Sequence, residues 1–130
     1  MIKRIDMIEN AYNDERGWVT NPLEVSGVLS NTLSNLHIAS VQPGCIRGNH
    51  YHNHATEWLL IFGGAASFYW RSSEEKTLHE EEIKGSDPVS FEIPPGIEHA
   101  VINRSEKEIF LMAFRNVADA DTIQSLILKK

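Results

Sequence analysis

The chain has 130 residues, 42% hydrophobic and 23% charged, a composition that supports a folded core and excludes a disordered chain. Eighteen acidic residues against twelve Lys and Arg give a formal net charge of -6. No broad cationic face is available to track phosphates, so nucleic acid is excluded as an expected partner.

The length fits one domain, spanning 1–130. The first stretch, MIKRIDMIENAYNDERG, lacks the continuous apolar core of a signal peptide. Nor does any run of about 18 apolar residues follow that would span a bilayer. The expectation is a cytoplasmic protein with no membrane partner. A single cysteine, Cys45, forms no intrachain disulfide, in keeping with a reducing compartment. It reads as a small buried hydrophobe rather than as a ligand or nucleophile.

Turn signals recur at short spacing (ERG, NP, SG, QPG, GG, GSDP, PPG), and the runs between them are rich in β-branched and aromatic residues. In chain order these predict strands at 35–41, 57–62, 65–70, 88–93, 99–103 and 109–114. Many short strands without a convincing amphipathic helix point to an all-β sandwich or barrel. In the run EWLLIF, Glu57, Leu59 and Ile61 share one face, and Trp58, Leu60 and Phe62 the other. Both faces are apolar, so one lines the interior and the other needs a second layer or a partner subunit, from which a homodimer is expected. The acidic stretch 74–87 reads as a solvated hairpin. The tail 121–130 fits either a last strand or a short helix.

Between the first two predicted strands lies GNHYHNHATEW, residues 48–58, which holds three of the six histidines. On a strand His50 and His52 project from one face about 7 Å apart at the backbone, within reach of one ion. Glu57 would lie roughly 23 Å from His50 in an unbroken strand, so the two share an ion only if the chain turns between them. Residues 53–56 supply a polar connection of hairpin length. The segment IPPGIEHAVIN, residues 93–103, offers His99 as a fourth ligand after a Pro-Pro-Gly turn. Three imidazoles and a carboxylate suit one divalent transition metal, Zn, Mn, Fe, Ni or Co, without choosing among them.

These two segments resemble the paired motifs of the cupin superfamily. Gly44, His50, His52, Glu57 and Gly64 match the first motif (44–64). Pro94, Gly96, His99 and Asn103 match the second (85–103), with a longer connection after Gly85 than the family has. The resemblance implies an all-β, cupin-type jelly-roll barrel with a metal held by His50, His52, Glu57 and His99. The alternative is a cupin that keeps the same histidines as a metal-free polar pocket.

More narrowly, Asp14, Arg16 and Gly17 with the segment Arg47 to Tyr51 resemble the dTDP-4-dehydrorhamnose 3,5-epimerase family of sugar-nucleotide cupins. Gly48, Asn49, His50, Tyr51 and His52, with a fainter likeness at Asp121-Thr122, are similar to the C-terminal cupin domain of the capsular polysaccharide epimerase-reductases. This implies an epimerase or isomerase acting on a nucleotide-linked or phosphorylated keto sugar in surface polysaccharide synthesis, so the expected partner is a sugar or nucleotide sugar. Such chemistry removes a weakly acidic proton beside a ketone and stabilises the enolate oxygen.

Arg16 and Arg47 are candidates for a substrate diphosphate, or else surface arginines in ion pairs. His54 is the candidate proton-transfer residue, or else a residue of the turn; Tyr51 faces away from His50 and His52 on a regular strand. The Asp and Tyr of the metal-free dTDP-4-dehydrorhamnose enzymes have no match here. An Fe(II) dioxygenase and a non-catalytic ligand-binding cupin are the competing expectations.

Overall fold

The computed structural model describes residues 2–29, 32–72, 74–117 and 122–129. Among them the strands are β1 (Lys3–Asp6), β2 (Tyr12–Asp14), β3 (Gly17–Val19), β4 (Ser34–Val41), β5 (Ile46–His52), β6 (Glu57–Phe62), β7 (Ala66–Ser72), β8 (His79–Ile83), β9 (Val89–Ile93), β10 (Ile97–Asn103), β11 (Ile109–Arg115) and β12 (Thr122–Gln124). A 3-10 turn, Met7–Asn10, and a short helix, α1 (Pro22–Ser26), break the pattern among the described residues. The helix is punctuated locally at both ends. Asn21 accepts the Glu24 N–H through its side chain, Pro22 pre-sets the first turn, and Gly27 ends it at φ 69°.

Two five-stranded sheets, ordered β1-β9-β6-β11-β4 and β12-β5-β10-β7-β8, form a jelly-roll sandwich, and β2-β3 make a separate hairpin. The expected all-β cupin-type fold is present, but as two sheets with free edge strands rather than a closed barrel. Alternating residues of both sheets meet between them: Ile61, Phe68, Phe91, Ile93, Val101 and Ile109 are fully or almost fully buried. Phe68 and Phe91 stack at 4.1 Å between ring centroids across the sandwich. Burying each such ring contributes about 1.5–3 kcal/mol relative to leaving it in water.

The six strands expected from the sequence are all present, with small shifts at their ends. The acidic stretch 74–87 contains β8, which forms a hairpin with β7 and a charged outer edge, with the His79 ring stacked on Trp70 at 4.1 Å. In the tail Thr122–Gln124 is a strand on β5, whereas Asp121 and Lys130 lie outside the described residues.

Two residues of the outward face of β6 are covered from within the chain. Trp58 and Leu60 pack with Met7 and Phe114, and Leu23, Val25, Val28 and Leu33 close over them. The second layer over Trp58 and Leu60 is thus the chain's own N-terminal third. Among the described residues no helix is long and apolar enough to cross a membrane.

Candidate metal centre

On β6 the inward face begins with Glu57 and continues through Leu59 and Ile61, so the carboxylate sits at one end of an otherwise apolar row. The connection at 53–56 carries the chain from β5 in one sheet to β6 in the facing sheet, and the Gly96 N–H donates to the His52 carbonyl at 2.8 Å, tying the Pro-Pro-Gly turn to the end of β5. His50, His52, Glu57 and His99 thereby converge, their ligand atoms all within 4.8 Å of one another. His52, Glu57 and His99 are buried at 2–3% exposure, and His50 is half-buried.

A bulge in β5 determines what joins them. His50 pairs with His99, but Gly48 pairs with Ala100 and Arg47 with Val101, leaving Asn49 as an extra residue at φ 58°. Even spacing from His50 would turn Arg47 outward with Tyr51. The extra residue resets the alternation, and Arg47 lines the same cavity as His50. Gly48 is required here: at φ 99°, a Cβ would lie 2.9 Å from the His99 carbonyl oxygen. Asn49 is held in turn by the C-terminal segment, its Oδ1 accepting the Ile127 and Leu128 N–H groups at 3.1 and 2.9 Å.

The cavity has a volume of about 350 Å³ and lies between β4, β6 and β11 on one sheet and β5 and β10 on the other. His99 Nδ1 lies 3.0 Å from the Ile97 carbonyl, which makes Nδ1 the donor and leaves Nε2 as the lone pair. That buried Nε2 has no well-aligned hydrogen bond and lies 3.4 Å from Glu57 Oε2. His52 Nε2 lies 3.0 Å from Glu57 Oε1, and its Nδ1 3.2 Å from the Thr122 hydroxyl. Burial alone would raise the Glu57 pKa, but the imidazoles of His52 and His99 outweigh it and hold the carboxyl well below its ordinary range. His50 is lowered to about 4, first by burial and then by the neighbouring His99. A metal ligand must present an ionised carboxylate and neutral imidazoles, and the shifts of Glu57 and His50 both run in that direction. With the buried His99 Nε2 left over for an ion, the set fits a divalent transition metal.

Two cavity residues escaped the sequence reading. Arg115 is buried and donates from Nε to Glu57 Oε1 at 3.0 Å. Its signal was the alternation Leu111, Ala113, Arg115, an arginine on the inward row one residue past the expected strand end. His37 stands on β4 beside Ala39 at the exposed rim, its Nδ1 3.0 Å from Asn35 Oδ1.

Two residues that were expected at the site are elsewhere. His54 is exposed in the turn after His52 and does not line the cavity, because β5 ends before it. Arg16 has an 81% exposed side chain, pairs with Asp14 at 2.6 Å in the β2-β3 hairpin, and does not reach the cavity.

Fold and site together define a cupin whose interior gathers three imidazoles and one carboxylate at the edge of its core. The chain belongs to the family described as the polysaccharide biosynthesis C-terminal domain, whose sequence profile matches residues 12–122. It is 30% identical over 105 residues to a UDP-2-acetamido-2,6-beta-L-arabino-hexul-4-ose reductase of Pseudomonas aeruginosa. That match covers 81% of this chain and 27% of the relative, so the chain spans about a quarter of the reductase.

Among solved structures it is similar to QdtA, a sugar 3,4-ketoisomerase from Thermoanaerobacterium thermosaccharolyticum in complex with TDP. The TM-score is 0.75 and the identity 15%, covering 96% of this chain and 88% of that one. It is similar also to the dTDP-6-deoxy-D-glucose-3,5-epimerase RmlC of Legionella pneumophila in complex with dTDP-4-keto-L-rhamnose. There the TM-score is 0.67 and the identity 20%, covering 88% of this chain and 66% of that one. At these identities the structural likeness establishes the fold alone.

Proposed function

We propose that this chain is a metal-binding epimerase or isomerase acting on a nucleotide-linked keto sugar in surface polysaccharide synthesis. The observation that carries the proposal is a complete ligand set, three of whose members line one cavity together with Arg47 and a rim histidine. Relatives support the substrate class: the similar solved structures are described with TDP or a dTDP-keto sugar, and the matched reductase is named for a UDP-linked keto sugar.

His50, His52, Glu57 and His99 would hold the ion. Once bound, a divalent transition metal supplies Lewis acidity that favours the enolate form of a ketone. Arg47 binds the anionic part of the substrate: its Nε is anchored on the Ser40 carbonyl at 2.9 Å, which orients the remaining guanidinium N–H groups for phosphate oxygens. His37 replaces His54 as the proton-transfer residue. With Nδ1 held by Asn35, its Nε2 is free to accept the proton beside the ketone and return it. Apolar Leu59, Val101 and Leu111 exclude water from the sugar ring's surroundings.

The test has two stages. Elemental analysis of the dialysed protein is expected to find near one equivalent of a transition metal, and chelation should lower the melting temperature. Incubation with TDP- and UDP-linked keto sugars in deuterated water should then place deuterium beside the ketone, and His37→Ala should suppress that exchange by about 100-fold or more. Metal without exchange on any of these sugars refutes the isomerase. Oxygen uptake dependent on iron would instead assign the site to a dioxygenase.

A further inference from the structure

Glu57 is unusually well occupied for a ligand. Its Oε1 receives the Arg115 Nε–H at 3.0 Å and has His52 Nε2 at the same distance, whereas Oε2 faces His99 Nε2 at 3.4 Å. Both members of the Glu57–Arg115 pair are buried, with side chains 4% and 11% exposed. Breaking such a pair by removing one partner strands the other charge in a poor solvent, so in the metal-free protein the guanidinium is a fixed counter-charge to the carboxylate inside the sandwich. Arg115 also lies on the cavity wall with three of the candidate ligands, His50, Glu57 and His99.

We propose that Arg115 is the positioning residue of the metal centre, occupying Glu57 Oε1, reserving Oε2 for the ion, and cancelling the carboxylate charge so that the donor set is neutral overall. The inference rests on the metal-binding proposal above. It has a measurable consequence of fixed sign. A divalent ion entering this site meets a fixed positive charge a few ångströms away, and it must share Glu57 with that charge. Arg115 therefore weakens ion binding while it preserves the empty site. A merely structural ion pair behaves differently: its loss lowers stability with and without metal alike, and leaves affinity unchanged or reduced.

The experiment is a chelator competition with Zn²⁺ and Co²⁺ on the full chain, comparing wild type with Arg115→Met, Arg115→Gln and Arg115→Lys, alongside melting temperatures with and without ion. Both neutral variants are expected to bind the ion about tenfold tighter or more, since a unit charge this close to a dication is strongly repulsive even at high effective dielectric. Their metal-free melting temperatures should fall and their metal-induced gains should exceed that of wild type. Arg115→Lys, which keeps the charge, should bind close to wild type. Arg115→Gln, which keeps a donor without charge, carries the test where Arg115→Met does not fold without ion. Affinity unchanged or weaker in both neutral variants, beside a wild type that binds, overturns the inference. A wild type that binds no ion is a separate result and removes the metal-binding proposal itself.

Discussion

The space between the two sheets has an open half and a packed half, built from strands of the same kind. Around the open half, β4, β5, β6, β10 and β11 contribute histidines, two arginines and a glutamate to the cavity wall. In the packed half, β7, β8 and β9 contribute Phe68, Ile83, Val89, Phe91 and Ile93, which fill the interior. Burial does not distinguish them: on one face of β6, Glu57 is 3% exposed and Ile61 is 0%. The difference is what each half does with desolvation. Phe68 and Phe91 gain from losing water, whereas Glu57 and Arg115 tolerate it only as a pair. The packed half therefore supplies stability that the open half consumes in holding polar groups dry.

That contrast can be broken by experiment. Phe91→Ala should cost about 3–5 kcal/mol in urea unfolding, through lost burial and a residual cavity, while metal stoichiometry stays intact. His50→Ala should do the reverse, abolishing stoichiometric metal in elemental analysis with a much smaller loss in the same unfolding experiment. Equal stability losses, or loss of metal in Phe91→Ala, would show that the two halves are not separable.

Acid sharpens the contrast less drastically. In metal-free protein His50 titrates at about 4 when folded and near 6.5 when unfolded, so over that interval the unfolded chain binds the extra proton. Stability is full above pH 6.5 and declines as pH falls towards 4; the Glu57 contribution is lost below its unfolded value of 4.5. Calorimetric melting temperatures at pH 7 and pH 5 should differ in wild type and converge in His50→Ala.

The smallest effect belongs to a residue in neither half. Arg16→Ala removes an exposed pair with Asp14 and should leave both melting temperature and metal content unchanged. A loss of metal there would mean that the hairpin reaches the site in solution.

Much of this architecture is legible in the sequence. The six predicted strands carry β-branched and aromatic runs between strong turn signals, and such local chemistry survives in the fold. A shared ion required the chain to turn between His52 and Glu57, and residues 53–56 form that connection. The short elements β1 and β2 escaped because their residues are mostly polar or charged, and β3 because three residues are too few to show an alternation. His54 shared the local spacing of the other histidines, but a strand end falls between them.

By itself the sequence determined the all-β class, the two segments that meet, and the four residue types able to converge on one ion. These follow from the two-residue period of a strand and from turn chemistry, both properties of a few neighbouring residues. Tertiary structure alone decided that a bulge at Asn49 turns Arg47 inward, that Arg115 closes on Glu57 across a sequence separation of 58, and that the chain's own N-terminal third covers Trp58. Those outcomes depend on strand register and long-range packing, which no local pattern encodes, because shifting a strand by one residue exchanges every side chain between core and solvent.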